Sequence, residues 1–230
     1  MLTLYSYPDL FGVADNNPYG LKVYAFLNLC KLAFRHEHIL DAAKAPRGQL
    51  PYLVDNGEAI GDSDTIIAHL IGRYALSIDA GLTPSQRDTD HLIRRMLDDL
   101  YWVMSYSRWK DPHFWPLFRD ALLRTHSGLT KAALETARDY NFKRYYYQGI
   151  GRYEPEAVYD RGISDLRVLA RLVPETGFLF GEKPCSGDAG IYGFTANIYF
   201  YEIDTPLKEF LMSRPHLTAH CRAVHAALSA

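Results

Sequence analysis

The chain has 230 residues, 48% hydrophobic and 23% charged, a globular composition that excludes disordered, collagen-like and low-complexity classes. Lys+Arg 25 against Asp+Glu 27 gives a formal net charge of -2, which leaves no surplus positive charge for a nucleic-acid backbone or an anionic membrane surface. Cys30, Cys185 and Cys221 are few, odd in number and widely spaced, so neither a disulfide framework nor a zinc spacing is indicated.

Residues 2–7 alternate in aromatic and aliphatic types and predict a short strand ended by Pro8. Met1 leads straight into it, with no basic segment and apolar stretch before it, and no apolar run reaches the roughly 18 residues of a membrane span. A cytoplasmic protein with no membrane span is expected. Asn17-Pro18 then has the grammar of a helix start, with Asn at the cap and Pro at the first helical position, and the helix should run to about Leu32.

Residues 34–40 predict a second strand and residues 50–54 a third; Asp55-Asn56-Gly57-Glu58 is a strong hairpin signal, and Ala59-Ile60 pairs back as a fourth. Gly61-Asp62-Ser63-Asp64 opens another helix, with Ser63 as the natural cap and Ile66, Ile67, Leu70, Ile71 and Tyr74 at helical spacing. Residues 77–84 form a linker by their Gly, Pro and Thr content. Beyond it helices are predicted over 86–110, 129–148, 154–173, 187–201 and 206–228, with Asp111-Pro112 and Trp115-Pro116 breaking the pattern.

The order β-α-β then β-β-α, followed only by helices, is that of a thioredoxin-like α/β N-terminal domain joined to an all-α C-terminal domain, with boundaries at 1–77 and 84–230. This arrangement resembles the glutathione transferase superfamily. Gln49-Leu50-Pro51 looks like that family's cis-proline segment, and Asp62-Ser63-Asp64-Thr65-Ile66 like its acidic-Ser-x-Ala-Ile signature. Phe178-Leu179-Phe180-Gly181 followed by Asp188-Ala189 is similar to its core-stabilising loop and helix start. Lys44-Ala45-Pro46-Arg47-Gly48-Gln49-Leu50-Pro51-Tyr52, Leu100-Tyr101-Trp102, Tyr106-Ser107-Arg108-Trp109 and Gly149-Ile150-Gly151-Arg152, in that order, resemble the failed-axon and metaxin-like branch.

The resemblance implies glutathione as co-substrate, no metal, and a homodimer acting in detoxification. A glutathione thiol, with a pKa of about 8.5 or slightly higher, needs a site that favours its thiolate, and the N-terminus of the first helix supplies one. Relatives carry Cys/Ser-Pro-x-Cys there, whereas this chain has Asn17-Pro18-Tyr19-Gly20. Asn17 can donate a hydrogen bond but cannot act as nucleophile or base; it is either a thiolate donor or only a helix cap. Tyr7, at the end of the first strand, stands where tyrosine-type members keep their donor, and packing is its other reading.

For glutathione itself the resemblance implies the backbone of Leu50 before Pro51, with Asp62 and Ser63 for the γ-glutamyl end and Lys44 or Arg47 for the glycyl carboxylate. Tyr101, Tyr106 and Trp109 are the candidates for a hydrophobic second-substrate site, the alternative being the bundle core. His216 and His220 are four apart but lack a third ligand by spacing, as do His36 and His38. Two functions follow: a transferase adding the glutathione thiolate to a small hydrophobic electrophile, or a non-catalytic binding or interaction protein of the same fold.

Overall fold

The computed structural model describes residues 1–229. Four strands, β1 (Leu2–Ser6), β2 (Phe34–His38), β3 (Tyr52–Asp55) and β4 (Glu58–Gly61), form one sheet in the order β2-β1-β3-β4. β1 runs parallel to β2, with Leu2 opposite Phe34, and antiparallel to β3, with Leu4 opposite Leu53. The parallel pair needs a crossover, which α1 (Pro18–Leu29) supplies, and the antiparallel β3–β4 pair closes through Asn56 and Gly57, both at positive φ. Leu2, Leu4 and Ser6 alternate onto the buried face of β1.

The helices that follow are α2 (Ser63–Arg73), α3 (Pro84–Trp109), α4 (Trp115–Thr125), α5 (Lys131–Gln148), α6 (Pro155–Leu172), α7 (Ser186–Tyr199), α8 (Pro206–Met212) and α9 (Pro215–Ala227). Trp115-Pro116 therefore opens α4 instead of only interrupting a helical pattern, because a proline in the first turn gives up an N–H that has no acceptor anyway. The stretch 206–228 is two helices and not one: Pro215, in the first turn of α9, cannot extend α8. The cap of α2 is Asp62 and not Ser63; its carboxylate accepts from Thr65 N at 3.0 Å.

Two apolar clusters hold the molecule. One lies in the bundle of α3 to α8, with Phe118, Tyr145, Leu166 and Phe194 in it. The other covers α1, α2 and the sheet, and it recruits Tyr192 and Ala196 from α7 and Cys221 and Val224 from α9. α1 is thus sandwiched between the sheet and α7, which explains why it is apolar nearly all round. The approach is close enough that a Cβ on Gly193 would lie 2.5 Å from Pro18 O.

Candidate functional site

Two cavities meet at the N-terminus of α1. The larger, about 500 Å³, is lined by Leu50, Pro51, Asp62, Ser63 and Asp64 on the sheet side and by Arg95, Asp98 and Trp102 of α3 opposite. The smaller, about 310 Å³, lies between α3, α4 and α5 and has Met104, Trp109, Phe118, Leu122 and Leu134 on its walls. Tyr7, Asn17, Tyr101, Tyr140 and Arg144 line both.

On its sheet side the larger cavity carries distinctive backbone features. The Leu50–Pro51 peptide bond is cis. Asp62 holds φ 75° and ψ 125°, a conformation that costs a non-glycine residue about 1–3 kcal/mol and that concentrates where ligands bind. Its Oδ1 accepts from Thr65 N and Thr65 Oγ1, each at 3.0 Å, and its Oδ2 accepts from Arg47 Nη1 at 3.0 Å. Ser63 and Asp64 begin α2, where the first N–H groups lack helical acceptors and attract anions.

Asp64 also binds Lys22 of α1 and, at 3.4 Å, Arg94 of α3. Burial works against its charge, but Lys22 and Arg94 hold its pKa below the ordinary carboxylate value. The side chains around this cavity are balanced, with Arg47, Arg95 and Arg144 against Asp62, Asp64 and Asp98. Such a lining suits a zwitterion.

Lys44 does not belong to it. Its side chain is exposed and lines neither cavity, whereas Arg47, three residues on, reaches Asp62. Tyr106 is a second correction: it is 3% exposed, with its ring against Tyr145 at 6.2 Å and Tyr159 at 6.4 Å, and it lines neither cavity. The helical repeat explains this. Tyr101, Met104, Ser105, Arg108 and Trp109 form one stripe of α3 facing the smaller cavity, and Tyr106, five residues beyond Tyr101, is rotated from it by about 140°. Tyr101 and Trp109 line the smaller cavity.

At the junction, Asn17 caps α1, its Oδ1 accepting from Tyr19 N at 3.0 Å. Capping engages only the amide oxygen and leaves the Nδ2 donor available toward the cavities, so the two readings of this residue are compatible. Tyr7 follows β1, and burial, with help from Tyr101 and Asp15, pushes its pKa up to about 12. At neutral pH it is therefore an O–H donor and not a base. Cys30, Cys185 and Cys221 line neither cavity, and burial raises the thiols of Cys30 to about 11 and Cys221 to about 12. A thiolate at this junction has to come with a ligand.

Several site residues carry no motif. Tyr19 reaches across from α1 to Asp98 of α3, its hydroxyl donating at 3.0 Å, and its ring lies 5.0 Å from that of Tyr101. Tyr140 and Arg144 come from one face of α5; their only sequence signal is the aromatic surplus of mid-chain. Beneath the junction, Asp15 is fully buried, its Oδ1 accepting from Asn17 N at 2.6 Å while Oδ2 has no partner. Gly20 makes room for it, since a Cβ there would sit 1.6 Å from Asp15 Oδ2.

Buried Arg108 clamps the same loop. It donates to Asn16 O and, at 2.9 Å, to Asn197 O on α7. Among the described residues no group of three or more His, Cys, Asp or Glu is placed to hold a metal ion. His216 Nε2 faces Ala170 O at 2.8 Å, and His220 Nε2 faces the carboxylate of Asp188 at 2.7 Å.

A glutathione S-transferase N-terminal domain model matches residues 18–114, and a glutathione S-transferase C-terminal domain model matches residues 162–224. The chain belongs to the glutathione S-transferase family. It is 28% identical over 207 residues to the isoprene-epoxide--glutathione S-transferase of Rhodococcus sp. (strain AD45), covering 86% of this chain and 87% of that one. It is 29% identical over 241 residues to Failed axon connections of Drosophila melanogaster, covering 96% of this chain and 56% of that protein. Against that second relative it spans little more than half the length.

Among solved structures, the beta-etherase LigF of Sphingobium sp. strain SYK-6 matches with a TM-score of 0.69 at 16% identity, over 99% of this chain and 97% of that one. A glutathione S-transferase of Methylobacillus flagellatus with glutathione bound matches with a TM-score of 0.63 at 14% identity, over 100% and 98%. At such identities the likeness is one of fold. In this glutathione S-transferase family member, as in those chains, a four-stranded thioredoxin-like sheet is joined to a helical C-terminal domain.

Proposed function

We propose that this protein is a glutathione transferase that adds the glutathione thiolate to a small hydrophobic electrophile. The observation that carries the reading is the junction, where a balanced polar cavity and an apolar one share Tyr7 and Asn17. Glutathione would occupy the polar cavity. Its cysteinyl backbone would pair with Leu50, its γ-glutamyl carboxylate would meet the start of α2 at Ser63, its ammonium group would displace Arg47 from Asp62, and Arg47, so released, would take the glycyl carboxylate.

The sulfur would then lie at the start of α1. Tyr7 O–H and Asn17 Nδ2 would donate to it, and the helix dipole would favour its charge, which lowers the thiol pKa toward neutrality. The proton leaves to solvent. The thiolate attacks an electrophilic carbon held between Tyr101 and Trp109; an S–C bond forms, and the bond to the departing halide or epoxide oxygen breaks. The similarity to an isoprene-epoxide transferase supports epoxides among the acceptors. Family membership also supports the wider setting of this reading: a cytoplasmic homodimer acting in detoxification, with a glutathione-binding domain over 1–77 and a helical domain over 84–230.

Calorimetric titration of glutathione followed by conjugation of an aryl halide tests the proposal. Saturable binding with turnover is expected. Absence of binding sinks the reading, and binding without turnover favours a non-catalytic binding protein, which is the reading that Asn17 in the usual Cys/Ser position supports.

A further inference from the structure

The smaller cavity is apolar in its walls but not neutral. Two guanidinium groups, Arg108 and Arg144, line it, and no Asp or Glu is among the described residues around it. Neither guanidinium lies within 4.0 Å of a carboxylate among the described residues, whereas Arg94, Arg95, Arg119 and Arg161 do. Arg108 is buried in the floor, where its Nη1 and Nη2 already donate to Asn16 O and to the carbonyl and amide oxygen of Asn197, so its contribution to the cavity is mainly charge.

Arg144 is different. Its Nη1 donates to Asn141 Oδ1 at 2.9 Å, the Tyr101 hydroxyl lies beside it, and its guanidinium carbon sits 5.0 Å from the Trp102 ring centroid and 5.8 Å from that of Tyr140. Aromatic faces hold the guanidinium in place without consuming its remaining N–H donors, which suit a planar carboxylate. A half-enclosed apolar space with two guanidinium groups and, among the described residues, no carboxylate on its walls also raises the local concentration of anions.

We propose that the second substrate of this site is an apolar electrophile bearing a carboxylate, and that Arg144 is the residue that selects it. The proposal rests on the transferase reading for the reaction but not for the recognition. Arg144 also lines the larger cavity, so the competing role is a contact with glutathione.

Chlorodinitrobenzene and chlorodinitrobenzoate separate these roles, because they share ring, leaving group and chemistry: the S–C bond forms, chloride departs and the thiol proton goes to solvent. The full-length protein should prefer the benzoate in kcat/KM once each value is divided by that compound's uncatalysed rate with glutathione. Arg144→Gln should lower the benzoate-to-benzene ratio by about tenfold or more, the size of one charge-assisted hydrogen bond, and Arg144→Lys should retain part of the preference. The ratio is internally controlled, so a general loss of folding or turnover leaves it unmoved.

A wild-type preference for the neutral compound overturns the proposal. So does an unchanged ratio in Arg144→Gln with a raised KM for glutathione, which would assign Arg144 to the tripeptide. Quenching of tryptophan fluorescence by each compound gives the same comparison without turnover. Selective benzoate binding lost in Arg144→Gln, in a protein that fails to bind glutathione, would uphold this assignment while sinking the transferase reading; equal binding of both compounds would sink this one.

Discussion

The two cavities share five residues and differ in how they are made. The larger is assembled from local backbone devices, namely the segment at Leu50-Pro51, the start of α2 at Ser63 and the unusual φ of Asp62. Four of its charged side chains form two ion pairs, Arg47 with Asp62 and Arg95 with Asp98. The smaller is walled mainly by side chains of three consecutive helices, such as Tyr101, Phe118 and Ala137, and its two charges have the same sign. A backbone-built site recognises a constant ligand, since N–H and C=O groups do not vary with sequence. A side-chain-built site is free to vary with the acceptor.

What both cavities need is α1 held in place against α7. The largest expected effect therefore belongs to Gly193→Ala, whose Cβ would meet Pro18 O at 2.5 Å and Lys22 N at 2.9 Å, backbone atoms that cannot rotate away. Overpacking of this kind costs about 3 kcal/mol, read as a lower urea midpoint, and it should weaken glutathione binding and acceptor selection together. A variant as stable as wild type would mean that α1 and α7 separate freely.

Next comes the shared junction. Tyr7→Phe removes an O–H donor from the proposed sulfur position and should lower turnover by about 10²-fold, as loss of one preorganised donor does elsewhere. The loss should be equal for neutral and carboxylate-bearing acceptors. If instead Asn17→Ala carries the loss and Tyr7→Phe none, the donor is the amide; if the bound thiol keeps its pKa in both variants, neither residue is the donor.

This division also explains what could be read from the amino-acid order. Leu50-Pro51, Asp62-Ser63 and Asn17-Pro18 are neighbours in sequence, and each forms its own piece of the larger cavity with little help from elsewhere, so short motifs reveal them. Tyr106 and Lys44 show the limit. Tyr106 shares its helix and residue type with Tyr101 yet faces the core, and only the packing of Tyr145 and Tyr159 decides that. Lys44 and Arg47 offer the same charge three residues apart, and the loop's path selects Arg47. Arg144 has no motif, because its site exists only once α3 and α5 are packed.

A smaller effect separates the cavities from one side. Asp62→Gly relieves the positive φ, and glycine at a helix cap loses only a few tenths of a kcal/mol against Asp, so stability should rise by about 1 kcal/mol. The same change removes the carboxylate proposed for the γ-glutamyl ammonium group and should raise the Kd for glutathione by about tenfold, the value of one charged hydrogen bond. Acceptor selectivity should not move. A shift in selectivity would show that the cavities are coupled through the start of α2.

The smallest effect lies beneath the junction and depends on pH. Burial pushes the pKa of Asp15 well above the ordinary value, opposed by the hydrogen bond from Asn17 N and by the charge of Arg108. The folded protein thus binds this proton more tightly than the unfolded chain, whose Asp titrates near a pKa of about 4. Stability should be highest below that value and decline as pH rises toward the folded pKa, because the unfolded state sheds the proton first. Asp15→Asn keeps an oxygen for Asn17 N and removes the titration. Urea midpoints measured on both proteins between acid and neutral pH should therefore diverge, the variant gaining on wild type as pH rises. Parallel curves would show that a charged Asp15 is stabilised as well folded as unfolded. The guanidinium of Arg108, which this structure leaves without a carboxylate within 4.0 Å, would then be its effective partner.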